Sequence, residues 1–241
     1  METNINNSQD KKKSILFLHG KTQNSFIFEK RMKKFIKTFK KELPEYQILI
    51  PNGPFLIDDS DNEKEETEKN RRWVFSDLSE LKEKSEMEFK GFDKSLEIIM
   101  DNVEKNKVEI IFGFSQGALI ATFLSIMISS SEEFSKKFND LKCVILCAGF
   151  IQPIPLNEEF KDRYELIKDL VNCKKDRSEA FINIPTLNIY GETDVFIVKE
   201  KSQNLEKIFI NIESYCHPGK HFVPLSKEEV IKYMDFIKKN I

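Results

Sequence analysis

Cysteine, histidine and glycine are all scarce in this chain of 241 residues. The four cysteines, Cys143, Cys147, Cys173 and Cys216, are too few to frame a chain of this length with disulfides. They read as free thiols in a reducing cytosol. No apolar run reaches the roughly 18–20 residues that a membrane span needs. The opening stretch, METNINNSQDKKKS, lacks the apolar centre of a secretory leader. It is also neither Arg-rich nor free of acids, which argues against a mitochondrial leader, so the expected location is the cytoplasm. An excess of either charge is missing too: 38 Lys+Arg stand against 40 Asp+Glu, a net charge of -2. That balance excludes the strongly basic surface of a typical nucleic-acid-binding domain. Only His19, His217 and His221 are available for histidine chemistry.

With 40% hydrophobic and 11% aromatic residues, the chain has the composition of a folded protein. Residues 1–12 read as a flexible polar tail and 13–241 as a single domain. Short apolar runs at 14–18, 46–50, 108–112, 143–146, 186–190 and 210–215 predict about six buried strands. Between them, apolar residues at helical spacing predict helices over 26–41, 89–103, 118–128, 160–173, 199–208 and 227–239. Apolar strands separated by helices imply a mostly parallel central sheet with helices on both faces, an α/β architecture. The stretch 58–70, DDSDNEKEETEKN, has no apolar residue and is expected to be a charged surface loop.

The third predicted strand runs into Gly113-Phe114-Ser115-Gln116-Gly117, a G-x-S-x-G motif between strand and helix. A serine on such a tight turn presents its Oγ at the carboxyl end of the sheet, facing a helix N-terminus. The flanking glycines leave room for neighbouring backbone. Serine is a poor nucleophile at neutral pH and needs a base, which in turn needs an orienting acid. In chain order these follow the serine as acid, then histidine. The acid is expected after the 186–190 strand, where Asp194 is the first choice and Glu192 the alternative. The base is expected after the last strand, in His217-Pro218-Gly219-Lys220-His221. His221 follows the turn and is the first choice; His217 is the alternative and more naturally shapes the turn. His19 precedes the serine, so a structural role in its loop is expected.

Ester chemistry also needs donors for the developing oxyanion. The backbone N–H of Gln116 is one, and that of Lys21, in the loop after the first strand, is the other. Cys216, His217 and His221 lie close in sequence, but Pro218 and Gly219 forbid a ligating helix, so no metal site is expected. Of the 21 phenylalanines, Phe114, Phe150, Phe196 and Phe222 lie beside the motifs or in loops after strands. They are the expected lining of an apolar substrate pocket.

Leu18-His-Gly-Lys-Thr-Gln-Asn24, the Ser115 motif and His217-Pro-Gly-Lys-His221 together resemble the FSH group, the family of serine hydrolases. Pro51-Asn-Gly-Pro54 and Arg72-Trp73 resemble the segments between. The likeness spans about residues 13 to 240. It implies an α/β-hydrolase fold, no cofactor, and carboxylesterase activity with Ser115, Asp194 and His221 as the triad. Lys21 departs from the apolar or aromatic residue usual in the group. The expected function is hydrolysis of small-molecule esters through an acyl-enzyme, favouring apolar acyl chains. Thioester hydrolysis, including acyl-protein thioesters, is the alternative. A non-catalytic binding scaffold is a third reading, disfavoured because all three triad members are present.

Overall fold

A computed structural model describes residues 11–58, 60, 63–75, 91–151 and 161–241. Six strands form the central sheet: β1 (Lys13–Leu18), β2 (Gln47–Leu49), β5 (Lys107–Phe114), β6 (Cys143–Cys147), β7 (Thr186–Gly191) and β8 (Ile212–His217). Their order is β2-β1-β5-β6-β7-β8, and every neighbouring pair is parallel. The helices are α1 (Ser25–Glu42), α2 (Phe92–Lys105), α3 (Gln116–Ser130), α4 (Glu132–Lys137), α5 (Lys161–Val171), α6 (Lys199–Gln203) and α7 (Lys227–Asn240).

Strand alternation sorts the core into two layers. Ile15 and Phe17 of β1, Ile110 and Phe112 of β5, and Cys143 and Cys147 of β6 pack with α1 and α7. Leu16, Leu18, Ile111, Val144 and Leu146 face the other way and pack with α2, α3 and α5. Phe17 anchors the first layer, with ring centroids 6.0 Å from Phe28, 5.9 Å from Phe35 and 5.3 Å from Phe112. Burying each such ring contributes roughly 1.5–3 kcal/mol. α3 is buried along nearly its whole length. This explains its uniformly apolar sequence, ALIATFLSIM, where an amphipathic surface helix would alternate.

The helix ends follow their sequence signals. Asn24 caps α1, accepting from Ile27 N–H at 2.7 Å. Ser226 and Glu229 form a capping box at α7, satisfying two otherwise unpaired N–H groups.

Several local expectations change. The predicted 199–208 helix ends at Gln203 and continues as a 3-10 turn, Asn204–Lys207. The last strand begins at Ile212 and not at 210. The predicted start of the 89–103 helix at 89 lies outside the described residues, and α2 begins at Phe92. The short α4 and an antiparallel ribbon of β3 (Phe55–Leu56) with β4 (Arg71–Arg72) have no counterpart among the predicted elements. This ribbon ties the two ends of the 58–70 stretch together. The end of that stretch is also clamped: Asn24 Nδ2 donates to the carbonyls of Glu66 at 3.1 Å and Lys69 at 2.9 Å. Of the expected polar tail, residues 1–10 lie outside the described residues.

Candidate active site

The sheet register gathers the site. Leu18 pairs with Gly113, Phe114 with Cys147, Cys147 with Ile189, and Gly191 with His217. The loops that follow β1, β5, β7 and β8 therefore open at one edge, the carboxyl edge, where open α/β sheets place their ligands.

Ser115 stands between β5 and α3 with φ 53° and ψ -114°. A positive φ is costly for a residue with a Cβ. Ser115 N–H donates to the Cys147 carbonyl at 2.9 Å, which ties the turn to β6. The glycines on either side are sterically required. A Cβ on Gly113 would lie 2.6 Å from Ala118 Cα, and one on Gly117 only 2.0 Å from the Leu18 carbonyl oxygen. Serine at a helix N-cap ordinarily bonds a backbone N–H of the first turn. Here its side chain makes no cap bond, and Oγ lies 2.9 Å from His221 Nε2.

His221 Nδ1 lies 2.6 Å from Asp194 Oδ2. The other carboxylate oxygen, Oδ1, accepts the N–H groups of Phe196 at 2.9 Å and Ile197 at 3.0 Å. Asp194 is buried, and these two donors hold its carboxylate aimed at the imidazole. The acid and histidine loops are laced together. Glu192 N–H donates to the His217 carbonyl at 2.8 Å, and Thr193 N–H to the Gly219 carbonyl at 3.1 Å. A Cβ on Gly191 would sit 2.6 Å from the Gly219 and Lys220 carbonyls, so the loops touch backbone to backbone.

The alternatives are engaged elsewhere. Glu192 accepts from Lys199 Nζ at 2.5 Å and from Cys216 Sγ at 2.9 Å. His217 is buried at the end of β8, where its Nδ1 accepts Gly219 N–H at 3.2 Å. Burial lowers its pKa.

His19 is fully buried in the loop after β1. Its Nδ1 lies 2.8 Å from the Gly20 carbonyl, and its Nε2 accepts Gly53 N–H at 2.9 Å. That pair of contacts requires the neutral tautomer with the proton on Nδ1. Desolvation pulls its pKa down to about 4.

Lys21 occupies the turn that follows His19, next to Thr22 with φ 66°. Gln116 is the first residue of α3. Two side chains that sequence reasoning passed over lie here. Gln116 Oε1 accepts Trp73 N–H at 2.7 Å and its Nε2 donates to the Val74 carbonyl at 2.9 Å. Trp73 Nε1–H donates to the His19 carbonyl at 2.9 Å. Trp73 is the lone tryptophan, a signal in itself, but nothing in sequence links it to Gln116.

Of the four phenylalanines expected to line a pocket, Phe114 and Phe196 both have rings against His221. Phe196 is exposed, with its ring 5.4 Å from the His221 ring. Phe114 is buried, 5.1 Å from His221 and stacked on Phe28. Phe222 is half exposed and faces His217 at 5.0 Å. Phe150 packs into the α3 layer of the core. Val195, 75% exposed, adjoins Phe196, 73% exposed. No described helix is long and apolar enough to cross a membrane.

With a hydroxyl, an imidazole and a buried carboxylate in one hydrogen-bonded line, the imidazole can take a proton from the hydroxyl as it attacks an acyl carbon. A family model described as serine hydrolase (FSH1) matches residues 7–233. Esterase OVCA2 of Danio rerio is 28% identical over 237 residues, covering 93% of this chain and 96% of the relative. Family of serine hydrolases 3 of Saccharomyces cerevisiae is 25% identical, covering 94% of this chain and 84% of the relative. Among solved structures, esterase PE8 superposes with a TM-score of 0.60 at 14% identity, over 96% of this chain and 94% of its own. SOBER1 of Arabidopsis thaliana gives 0.54 at 17% identity, over 94% of this chain and 98% of its own. These likenesses place the sheet and its helices in the α/β-hydrolase fold.

Proposed function

The chain belongs to the FSH1 family of serine hydrolases, and from that premise we propose that it hydrolyses carboxylic esters with Ser115, His221 and Asp194 as its catalytic triad. The observation that carries this reading is the unbroken line of hydrogen bonds, 2.9 Å from Ser115 to His221 and 2.6 Å from His221 to Asp194.

In the proposed reaction His221 Nε2 takes the Ser115 proton as Oγ attacks the ester carbonyl. Asp194 holds the Nδ1–H tautomer and stabilises the imidazolium. The backbone N–H groups of Gln116 and Lys21 receive the oxyanion. His221 then gives its proton to the departing alcohol. Water, deprotonated by the same imidazole, hydrolyses the acyl-enzyme and frees Ser115.

The substrate proposed is a small-molecule ester with an apolar acyl chain. Exposed Phe196, its ring 5.4 Å from His221, supplies apolar surface beside the histidine, with exposed Val195 next to it in the chain, which suits an alkyl group better than an acetyl group. The near-balanced charge speaks against a nucleic-acid partner. The free thiols, Cys143, Cys147, Cys173 and Cys216, suit a reducing compartment, the cytoplasm.

The experiment is a series of 4-nitrophenyl esters from acetate to decanoate, run beside matched thioesters. The expected result is kcat/KM rising with chain length and highest for the oxyesters. A steep preference for acetate would remove the apolar-chain reading. A preference for thioesters at every length would reassign the activity to thioester hydrolysis.

A further inference from the structure

Oxyanion donors work only within a narrow range, about 2.7–3.1 Å from the developing charge. In the reading above they come from two different loops, so something must fix the loops relative to each other. Ser115 does not do it alone: its turn has φ 53° and its side chain makes no cap bond to α3.

One short segment, Arg71 to Val74, holds both loops. On one side it meets the first residue of α3, because the Gln116 amide spans two successive peptide groups. Trp73 N–H donates to its oxygen at 2.7 Å, and its nitrogen donates to the Val74 carbonyl at 2.9 Å. On the other side it meets the loop after β1 at three points. Trp73 Nε1–H donates to the His19 carbonyl at 2.9 Å. Thr22 N–H donates to the Arg71 carbonyl at 2.9 Å, and Arg71 N–H to the Gln23 carbonyl at 3.0 Å. Lys21 lies between the first and second of these points.

The segment is itself braced. Ser95 Oγ donates to the Trp73 carbonyl, and a Cβ on Gly53 would lie 2.6 Å from the Arg72 carbonyl oxygen. Trp73 is fully buried and Gln116 is 4% exposed. Buried amide and indole groups in such a joint have no water to fall back on, so their bonds are kept. At the far side of the same joint, the bare Cα of Gly117 lets the Leu18 and His19 carbonyls come against α3.

We infer that Trp73 and the Gln116 side chain are positioning residues that set the spacing of the two oxyanion donors. The inference rests on the ester-hydrolase reading. It adds to that reading a reason why a glutamine should follow the nucleophile, a position whose backbone N–H any residue could supply.

The test uses the full chain and two substitutions. Gln116→Met keeps the side chain's length and removes its hydrogen bonds to Trp73 N–H and the Val74 carbonyl. Trp73→Phe keeps a ring and the backbone N–H but removes the indole donor. Active sites are counted with a fluorophosphonate, and kcat per counted site and KM are measured on one ester. The inhibition constant of an aryl trifluoromethyl ketone, which forms a tetrahedral oxyanion on the serine, is measured in parallel. Each substitution is expected to lower kcat per site about 10–100-fold, with KM held within about twofold and the ketone weakened in step with kcat. Loss of thermal stability with kcat per site and ketone affinity unchanged would overturn the inference and leave a purely structural joint. Trp73→Phe, the milder change, carries the test if Gln116→Met does not fold. A wild-type protein that neither reacts with the fluorophosphonate nor cleaves esters would instead overturn the ester-hydrolase reading.

Discussion

His221 Nε2 lies 2.9 Å from Ser115 Oγ although 106 positions separate them in the chain. Parallel strands in register make the meeting possible. Ser115 leaves the end of β5, while His221 leaves the end of β8 three strands away. Asp194, from the intervening β7 loop, holds the ring between them.

That arrangement predicts a sharp contrast between two neighbouring acids. Asp194→Asn should lower kcat by about 10³–10⁴, because an amide facing Nδ1 favours the wrong imidazole tautomer. Glu192→Gln should leave kcat within about twofold, since Glu192 contacts Lys199 and Cys216 and not His221. Steady-state kinetics on one ester distinguishes them. Equal losses would mean the acid is misassigned.

Gly117→Ala tests the close approach behind the nucleophile. The added methyl would meet the Leu18 carbonyl oxygen at 2.0 Å, a contact that forces α3 away from β1. The expected cost is about 3 kcal/mol or more, read as a lower urea midpoint with an unchanged slope. A midpoint equal to that of the wild type would contradict the packing described here.

How much of this can be read from sequence follows from what each feature depends on. The inner strands β1, β5, β6 and β7 are legible because buried parallel strands are largely apolar, whereas the edge strands β2 and β8 are only partly buried and β8 carries exposed polar residues. Ser115 is legible because a strand, G-x-S-x-G and a helix stand in a row. Asp194 and Glu192 cannot be separated by position, since both follow β7. What separates them is spatial: the Gly191–Gly219 contact and the N–H groups of Phe196 and Ile197. The β3–β4 ribbon has two residues in each strand, too few to show any period. α4 offers one apolar residue, Phe134. The Trp73–Gln116 contact spans 43 positions and leaves no local trace. Proximity to the motifs suggests a shared pocket for Phe114, Phe150, Phe196 and Phe222, but Phe114 and Phe150 enter opposite core layers.

Buried His19 predicts an acid-sensitive fold. Its folded pKa, about 4, lies below the ordinary 6.5, so the unfolded chain binds the proton first as pH falls. Stability from His19 is complete above pH 6.5 and is lost between 6.5 and about 4, on the order of 3 kcal/mol. His217, also lowered by burial, acts in the same direction. Urea unfolding of the wild type and His19→Gln should show the wild type's advantage shrinking from about pH 7.5 to about 4.5. A constant or growing advantage would contradict a neutral buried His19.

Phe196→Ala tests the apolar surface beside the histidine. The ring is 73% exposed and stands 5.4 Å from His221, where it can cover a bound alkyl chain. KM for a decanoate ester should rise about tenfold, a fraction of the roughly 1.5–3 kcal/mol available from burying a large apolar side chain. KM for acetate should hardly move. Equal changes for both esters would show that Phe196 acts through the Asp194 loop and not on the acyl chain.

The most direct measurement of the central claim is labelling by a fluorophosphonate, with the modified residue located by peptide mass spectrometry. This reagent reacts with an activated serine and not with a merely exposed one. The account predicts stoichiometric labelling of the wild type at Ser115 and none of a folded Ser115→Ala. Undiminished labelling of Ser115→Ala, or none of the folded wild type, would contradict it.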